Sequence, residues 1–413
     1  MKKGFERGSR LSERLSVFSN YIKAYKSNGY YPYFKEIAAT SGTEVEVGGN
    51  RLIMVNSNDY LGLTHDRYVI DKTLEAIKSY GTGMGGSRFL CGNLKLHSEL
   101  ERRLAEFVGK HHALVLPTGF STNLGVISSM LNPGDIILFD RVNHASIYDA
   151  CRMTKARLVP FKHNDAVDAE QKLNKIVTSD EEGIILLITE GVFSMSGTIA
   201  DLPSFVALKE KFPHLYIYLD DAHGLGTMGD GGRGVAQFYN KQDDVDFIMG
   251  TFSKSFASIG GFVACDDEGI AEYLRHKSRT MIFSAALPPG NVATVLACLD
   301  VIEEQPERVE RLWSNIERVM DGYRSIGLQV AKARSPIIPV NIGDEELALK
   351  VSYDLFENDI FALPVVFPAV ARKNAIIRTS FMSSHTDEQL DSFVDTLAKI
   401  LKRYNLPAIS ENE

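Results

Sequence analysis

Lys254 lies in the run GTFSKSFASIGGF, among threonine, serines and glycines and directly after the apolar stretch DFIMG (246–250). An amine in such a place can attack a carbonyl carbon and form a Schiff base, provided its surroundings let it lose a proton. Thr251 and Ser253 put hydroxyls beside it, which suit a phosphate group. Taken alone, the Ser-Lys pair reads far more readily as a solvated loop lysine.

The segment LYIYLDDAHG ends an apolar run at Asp220. A carboxylate there can keep a pyridine nitrogen protonated and turn an aromatic ring into an electron sink. His223, three residues on, can hydrogen-bond a phenolic oxygen. LPTGFSTNLGV places Gly119 and Phe120 where an apolar strand gives way to a helix, and free N–H groups at a helix N-terminus bind phosphate. DRVNHASI offers His144 to stack on a ring, and EGVFSMSG offers Ser194 to the same phenolic oxygen. Each has a plain structural reading as well: a helix cap, a turn serine, a core histidine. Their order along the chain, each after an expected strand, points jointly to pyridoxal phosphate (PLP) carried on Lys254.

Short apolar runs must position these residues. IILF (136–139), IILLIT (184–189), LYIYLD (215–220), DFIMG and GFVAC (261–265) read as buried strands. HSELERRLAEFVG (97–109) and LPSFVALKEKF (202–212) read as helices between them. Strands alternating with helices predict an α/β fold whose mostly parallel sheet is covered on both faces. Ligands of such sheets gather at the carboxyl ends of strands. After about residue 290 a long helical stretch (291–325), then SPIIPVNIG, AIIRTSFM and a last helix (386–403), predict a smaller α+β domain. The expected division is an N-terminal segment 1–55, a large PLP-binding domain 56–290 and a small C-terminal domain 291–413. Residues 1 to about 35 read as an amphipathic helical arm, with Leu11, Leu15, Phe18, Ile22 and Tyr25 at helical spacing. Such an arm packs on the body or a partner subunit, or lies on anionic lipid.

The 413 residues are 44% hydrophobic, enough for a large core, and the net charge is −8. An acidic balance argues against binding nucleic acid by phosphate neutralisation. Four separated cysteines without a CxxC pair predict neither a zinc site nor a disulfide framework, fit a reduced cytoplasmic compartment, and leave no metal to be expected. The basic N-terminus has no continuous apolar core of the kind a signal peptide needs, and no run of 18 apolar residues predicts a membrane span.

Together these segments resemble the α-oxoamine synthases, a branch of the fold-type-I (aspartate aminotransferase-like) PLP enzymes. The likeness extends over nearly the whole chain: NSNDYLGL (56–63), YGTGMGGSRFLCGN (80–93), HSELE (97–101), DRVNHASI, EGVFSMSG, LDDAHGLGTMGDGGRG, GTFSKSFASIGGF, MIFSAALPP and IRTSFMSSHT (377–386). The family implies condensation of an amino acid with an acyl-CoA and loss of the amino acid's carboxyl group. GSRFLCGN, TFSKSFASIGGFVA, RTMIFSA and SPIIPV resemble the soluble bacterial serine palmitoyltransferases, which join serine to palmitoyl-CoA. GSRFLCGN and NHASI are also similar to the 2-amino-3-ketobutyrate CoA ligases, which join glycine to acetyl-CoA, although those typically have Gly-Lys-Ala around the lysine. The 8-amino-7-oxononanoate synthases are a further alternative.

The resemblance implies that Lys254 is the Schiff-base lysine, Asp220 the partner of the pyridine nitrogen, His223 and Ser194 the contacts of the phenolic oxygen, and His144 the stacking residue that also faces substrate. It assigns Gly119, Phe120, Thr251 and Ser253 to the phosphate, and Ser284 to the phosphate of the neighbouring subunit, so a homodimer with shared active sites is expected. Arg378 matches the clamp of the substrate carboxylate, with Asn58 assisting. A planar guanidinium suits that task. The stretch VVFPAVARKNAII departs from the family's Pro-Ala-Thr-Pro-like loop, and Arg372 receives no role. An amphiphilic acyl donor and product make peripheral contact with the inner membrane face an expectation that rests on the arm.

Overall fold

The computed structural model describes residues 9–27, 29–176, 183–330 and 335–406. Its strands are β1 (Ile37–Thr40), β2 (Glu44–Val47), β3 (Asn50–Met54), β4 (His112–Leu116), β5 (Ile136–Asp140), β6 (Arg157–Phe161), β7 (Ile185–Glu190), β8 (Leu215–Asp220), β9 (Phe247–Thr251), β10 (Gly261–Cys265), β11 (Val340–Gly343), β12 (Ile360–Phe361), β13 (Pro364–Val365) and β14 (Ala375–Ile377). Seven of them form the central sheet, in the order β4-β10-β9-β8-β7-β5-β6. Neighbours from β9 to β6 run parallel, and only β10 runs against its two neighbours. The α/β expectation of a mostly parallel sheet therefore holds, with GFVAC as the reversed strand.

A period of two divides the strand residues between two apolar layers. Leu114 and Leu116 of β4 and Met249 of β9 pack with Val126, Ile127, Ile147 and Leu274, on the face covered by the helices Gly119–Met130, Ala145–Met153 and Glu268–Lys277. Ala113, Val115 and Ile248 point the other way, toward Leu100, Leu104 and Val292 of the helices Lys95–Val108 and Pro289–Glu304. Both faces being covered is why these strands read as unbroken apolar runs.

The arm forms one helix, Ser9–Ser27, shorter than the sequence reading. Residues 1–8 of that arm lie outside the described residues. The long helical stretch 291–325 is two helices, Pro289–Glu304 and Glu307–Ser325. Pro306 lies between them, and proline cannot continue the hydrogen-bond ladder of the first. The antiparallel run β1-β2-β3 is joined edge-on by β12, so chain from both ends builds one sheet. A third sheet, β11-β14-β13, leads into Arg378. Among the described residues no helix is long and apolar enough to cross a membrane. Cys91, Cys151, Cys265 and Cys298 are free thiols.

Candidate active site

Parallel strands present their carboxyl ends on one edge, and three acidic or hydroxyl residues close them: Glu190 on β7, Asp220 on β8 and Thr251 on β9. Glu190 and Asp220 are register partners. The turns after β4 and β5 carry Gly119 and His144 to the same edge.

Asp220 is buried, and its Oδ2 accepts from Asn123 Nδ2 at 2.7 Å while Oδ1 accepts from the Ala222 N–H at 3.1 Å. Asn123 in turn accepts from the Tyr218 hydroxyl and donates to Ser146, whose hydroxyl meets His144 Nδ1 at 2.8 Å. The His144 N–H donates to Glu190 Oε1 at 2.5 Å. Burial lowers the His144 imidazole from its ordinary value, so the ring is neutral at neutral pH. Its edge faces Phe120, with centroids 6.4 Å apart.

Lys254 follows β9 in a tight loop closed by hydrogen bonds from the Phe252 N–H to the Gly260 carbonyl and from the Ala257 N–H to the Lys254 carbonyl. The residue keeps some solvent access, yet protein surrounds its amine closely. Burial pushes the amine down to about 8, against the pull of Asp220 and Glu190. Thr251 Oγ1 lies 3.1 Å from Ser253 Oγ. A Cβ at position 119 would come within 2.6 Å of Thr251 Oγ1, so only glycine lets the helix N-terminus approach the lysine loop this closely. Thr118 caps that helix by accepting from the Ser121 N–H, and Phe120 is exposed.

The third part comes from the chain termini. Arg378, buried after β14, donates from Nε to the Ser194 carbonyl at 2.8 Å and from Nη2 to Asn58 Oδ1 at 2.9 Å. Tyr60 is fully buried, with its hydroxyl 2.7 Å from His223 Nδ1 and 3.2 Å from Asn58 Oδ1. Burial, then the nearby charges of Lys254 and Arg378, push His223 well below the ordinary histidine value.

Gly119, His144, Ser194, Asp220, His223, Thr251, Lys254, Asn58 and Arg378 are thus linked through these contacts or through shared charge effects. Ser253 is exposed beside Thr251. Ser284 is half-buried on the segment that meets Gly86, where the Ala286 N–H donates to the Gly86 carbonyl. Arg372 is exposed and lies over the Phe367 ring, 4.5 Å from its centroid. Sequence reasoning missed Glu190, Asn123, Tyr60 and Asp221, although each sits inside a motif already singled out. The signal for Glu190 was a carboxylate closing the apolar run IILLITE. Two further histidines in motif segments serve the fold: His97 meets the Leu287 carbonyl and His385 the Met54 carbonyl.

The model of the aminotransferase class I and II family matches residues 50–397. The chain belongs to that family. Within it, the likeness to α-oxoamine synthases, and to serine palmitoyltransferases in particular, is borne out by individual relatives. A serine palmitoyltransferase of Bacteroides thetaiotaomicron is 43% identical over 96% of this chain and 99% of its own length. An 8-amino-7-oxononanoate synthase of Thermoanaerobacter pseudethanolicus is 37% identical over 95% of this chain and 98% of its own. A serine palmitoyltransferase from S. paucimobilis, solved with a bound PLP–myriocin aldimine, superposes with a TM-score of 0.92 at 31% identity, covering 96% of this chain and 99% of that one.

For a class I and II aminotransferase fold, the site fits PLP on its own geometry. Gly119, where a Cβ would meet Thr251 Oγ1 at 2.6 Å, brings the N-terminus of the helix Gly119–Met130 up to the hydroxyls of Thr251 and Ser253, the kinds of group that bind phosphate. Asp220 offers a carboxylate for a protonated ring nitrogen, and Lys254 brings an amine with a lowered pKa.

Proposed function

We propose that this chain is a PLP-dependent serine palmitoyltransferase. It condenses L-serine with palmitoyl-CoA, releasing CoA and carbon dioxide, and yields 3-ketodihydrosphingosine, the first product of sphingolipid synthesis. The observation that supports the reading is that the buried Arg378 guanidinium, held by Ser194 and Asn58, lies near enough to Lys254 for its charge to act on the amine, together with that of Asp220.

PLP, when bound, supplies the electron sink that lets bonds to the amino acid's Cα break heterolytically. Arg378 binds the serine carboxylate through its N–H groups, and Asn58 holds the guanidinium in place. Lys254, neutral in part because burial lowers its pKa to about 8, takes the Cα proton. The Cα electrons attack the thioester carbonyl and the CoA thiolate leaves. Loss of carbon dioxide frees the second electron pair, and Lys254 returns a proton to Cα. Asp220, held by Asn123, would pair with the pyridine nitrogen. His144 would shield the ring from water, and His223 and Ser194 would hydrogen-bond the phenolic oxygen. Gly119, Phe120, Thr251 and Ser253 would hold the phosphate.

Ser284 serves the phosphate of a partner subunit, so the working form is a homodimer. The exposed Phe89, Leu90 and Phe283 support this reading as surface for a second copy to cover. Light scattering on the purified protein tests it. The helix Ser9–Ser27 exposes Leu11, Leu15 and Val17, which supports peripheral contact with anionic lipid at the inner membrane face. Co-sedimentation with phosphatidylglycerol vesicles tests that part.

The deciding assay follows CoA release with serine and palmitoyl-CoA against glycine with acetyl-CoA and alanine with pimeloyl-CoA. Turnover with serine and the long-chain donor is expected. The second reading, a short-chain synthase of the same family, is favoured by the 8-amino-7-oxononanoate synthase relatives. Turnover with acetyl-CoA or pimeloyl-CoA and none with palmitoyl-CoA would establish it in place of the first.

A further inference from the structure

The Tyr60 hydroxyl stands between His223 Nδ1 at 2.7 Å and Asn58 Oδ1 at 3.2 Å. A phenol has one proton to give. Asn58 Oδ1 already receives a charge-assisted bond from Arg378 Nη2 at 2.9 Å, and among the described residues His223 Nδ1 meets no other hydrogen-bonding group. The shorter contact and the unserved acceptor agree on where the proton goes.

We propose that Tyr60 is a positioning residue that fixes His223 as the neutral Nε2–H tautomer. His223 is neutral because burial and the cations Lys254 and Arg378 oppose a second ring proton. A neutral imidazole has one donor and one acceptor nitrogen. With Nδ1 accepting from Tyr60, the donor is Nε2. Tyr60 itself does not ionise at neutral pH, since burial pushes its hydroxyl up to about 12. It therefore keeps the proton this arrangement needs. The ring cannot turn over without breaking the bond to Tyr60, so the donor direction is fixed before any ligand arrives. On the proposed function, that donor is the group offered to the phenolic oxygen of PLP.

Tautomers can be read in the ligand-free protein, independently of activity. The chain has ten histidines, so His223→Gln assigns the signal in histidine-selective 15N NMR. Wild type is expected to show protonated Nε2 and a hydrogen-bonded, unprotonated Nδ1. Tyr60→Phe is expected to move Nδ1 toward the value of an unbonded ring nitrogen. Asn58→Ala removes the competing acceptor and is expected to leave the His223 pattern as in wild type. A wild-type Nδ1–H tautomer, an Nδ1 signal unmoved by Tyr60→Phe, or a tautomer reversed by Asn58→Ala overturns the proposal. If Tyr60→Phe does not fold, the wild-type and Asn58→Ala spectra decide it. In the PLP-loaded protein Tyr60→Phe should also alter the visible spectrum. A protein that binds no PLP yet shows the expected tautomer refutes the functional reading and leaves this one standing.

Discussion

Arg378 Nη2 donates to Asn58 Oδ1 at 2.9 Å, a contact between residues 320 positions apart in the chain. The bridge from Asn56 to Ser380 and the hydrogen bond from the Ser380 hydroxyl to the Ser57 carbonyl hold the two segments side by side. The carboxylate clamp proposed for Arg378 and Asn58 thus draws on both ends of the chain. Arg378→Lys keeps the charge and loses the planar fork, so it should raise KM for the amino acid about 10- to 100-fold. Asn58→Ala should raise it less, with PLP binding retained. Steady-state kinetics with varied serine checks both, and unchanged KM values would remove Arg378 from the clamp.

Lys254→Ala should abolish the visible absorption that the wild type acquires with PLP and lower kcat by at least about 10²–10⁴-fold. Absorbance spectra of the two proteins after incubation with PLP, and single-turnover assays, measure these effects. A variant that keeps its turnover would show that another group removes the Cα proton.

Glu190 is buried and accepts the His144 N–H at 2.5 Å, while burial and the neighbouring Asp220 push its carboxyl well above the ordinary value. Glu190→Gln keeps an acceptor of the same shape and should leave stability nearly unchanged. Glu190→Ala leaves the N–H without that acceptor and should cost about 1–3 kcal/mol. Urea denaturation of both variants separates them, and equal losses would mean the ionised form is required.

Asp221 accepts from the Val235 N–H through Oδ2, and its buried Oδ1 has no hydrogen-bond partner among the described residues. Gly191, Gly224 and Gly234 close around the carboxyl so tightly that a Cβ on any of them would meet it within 2.2 Å. Burial raises its pKa from 3.8 to about 7. The folded state therefore holds this proton through a window where the unfolded chain releases it. Its contribution lowers stability progressively as pH rises from about 4 to 7, and the cost is complete above 7. Asp221→Asn should flatten that part of the stability profile, read from melting temperatures of the ligand-free protein. A variant profile parallel to wild type across this window would show that Asp221 titrates normally.

Arg88 of GSRFLCGN forms a buried ion pair with Glu101 of HSELE, which also accepts the Val115 N–H at 2.9 Å. Glu101→Ala strands the guanidinium and should cost about 3–5 kcal/mol. Chemical denaturation gives the value, and a loss below about 1 kcal/mol would mean that water serves Arg88 equally well.

The β7, β8 and β9 strands were legible because burial on both faces makes them unbroken apolar runs, and their ends announced Asp220 and Lys254. The motif order carried the PLP reading, since Gly119, His144, Asp220 and Lys254 each follow a strand that local sequence can specify. The hairpin β1-β2-β3 was not legible as part of a shared sheet, because its partner β12 arrives from residue 360 and pairing at that distance leaves no local pattern. The same holds within the site. Glu190, Asn123 and Tyr60 were visible only as residues of a motif, because their partners lie on other elements. Residue types and spacing determined the kind of chemistry. Which nitrogen of His223 accepts, how far the Lys254 pKa falls and where Arg378 points depend on burial and on contacts between distant segments, so only the tertiary structure decided them.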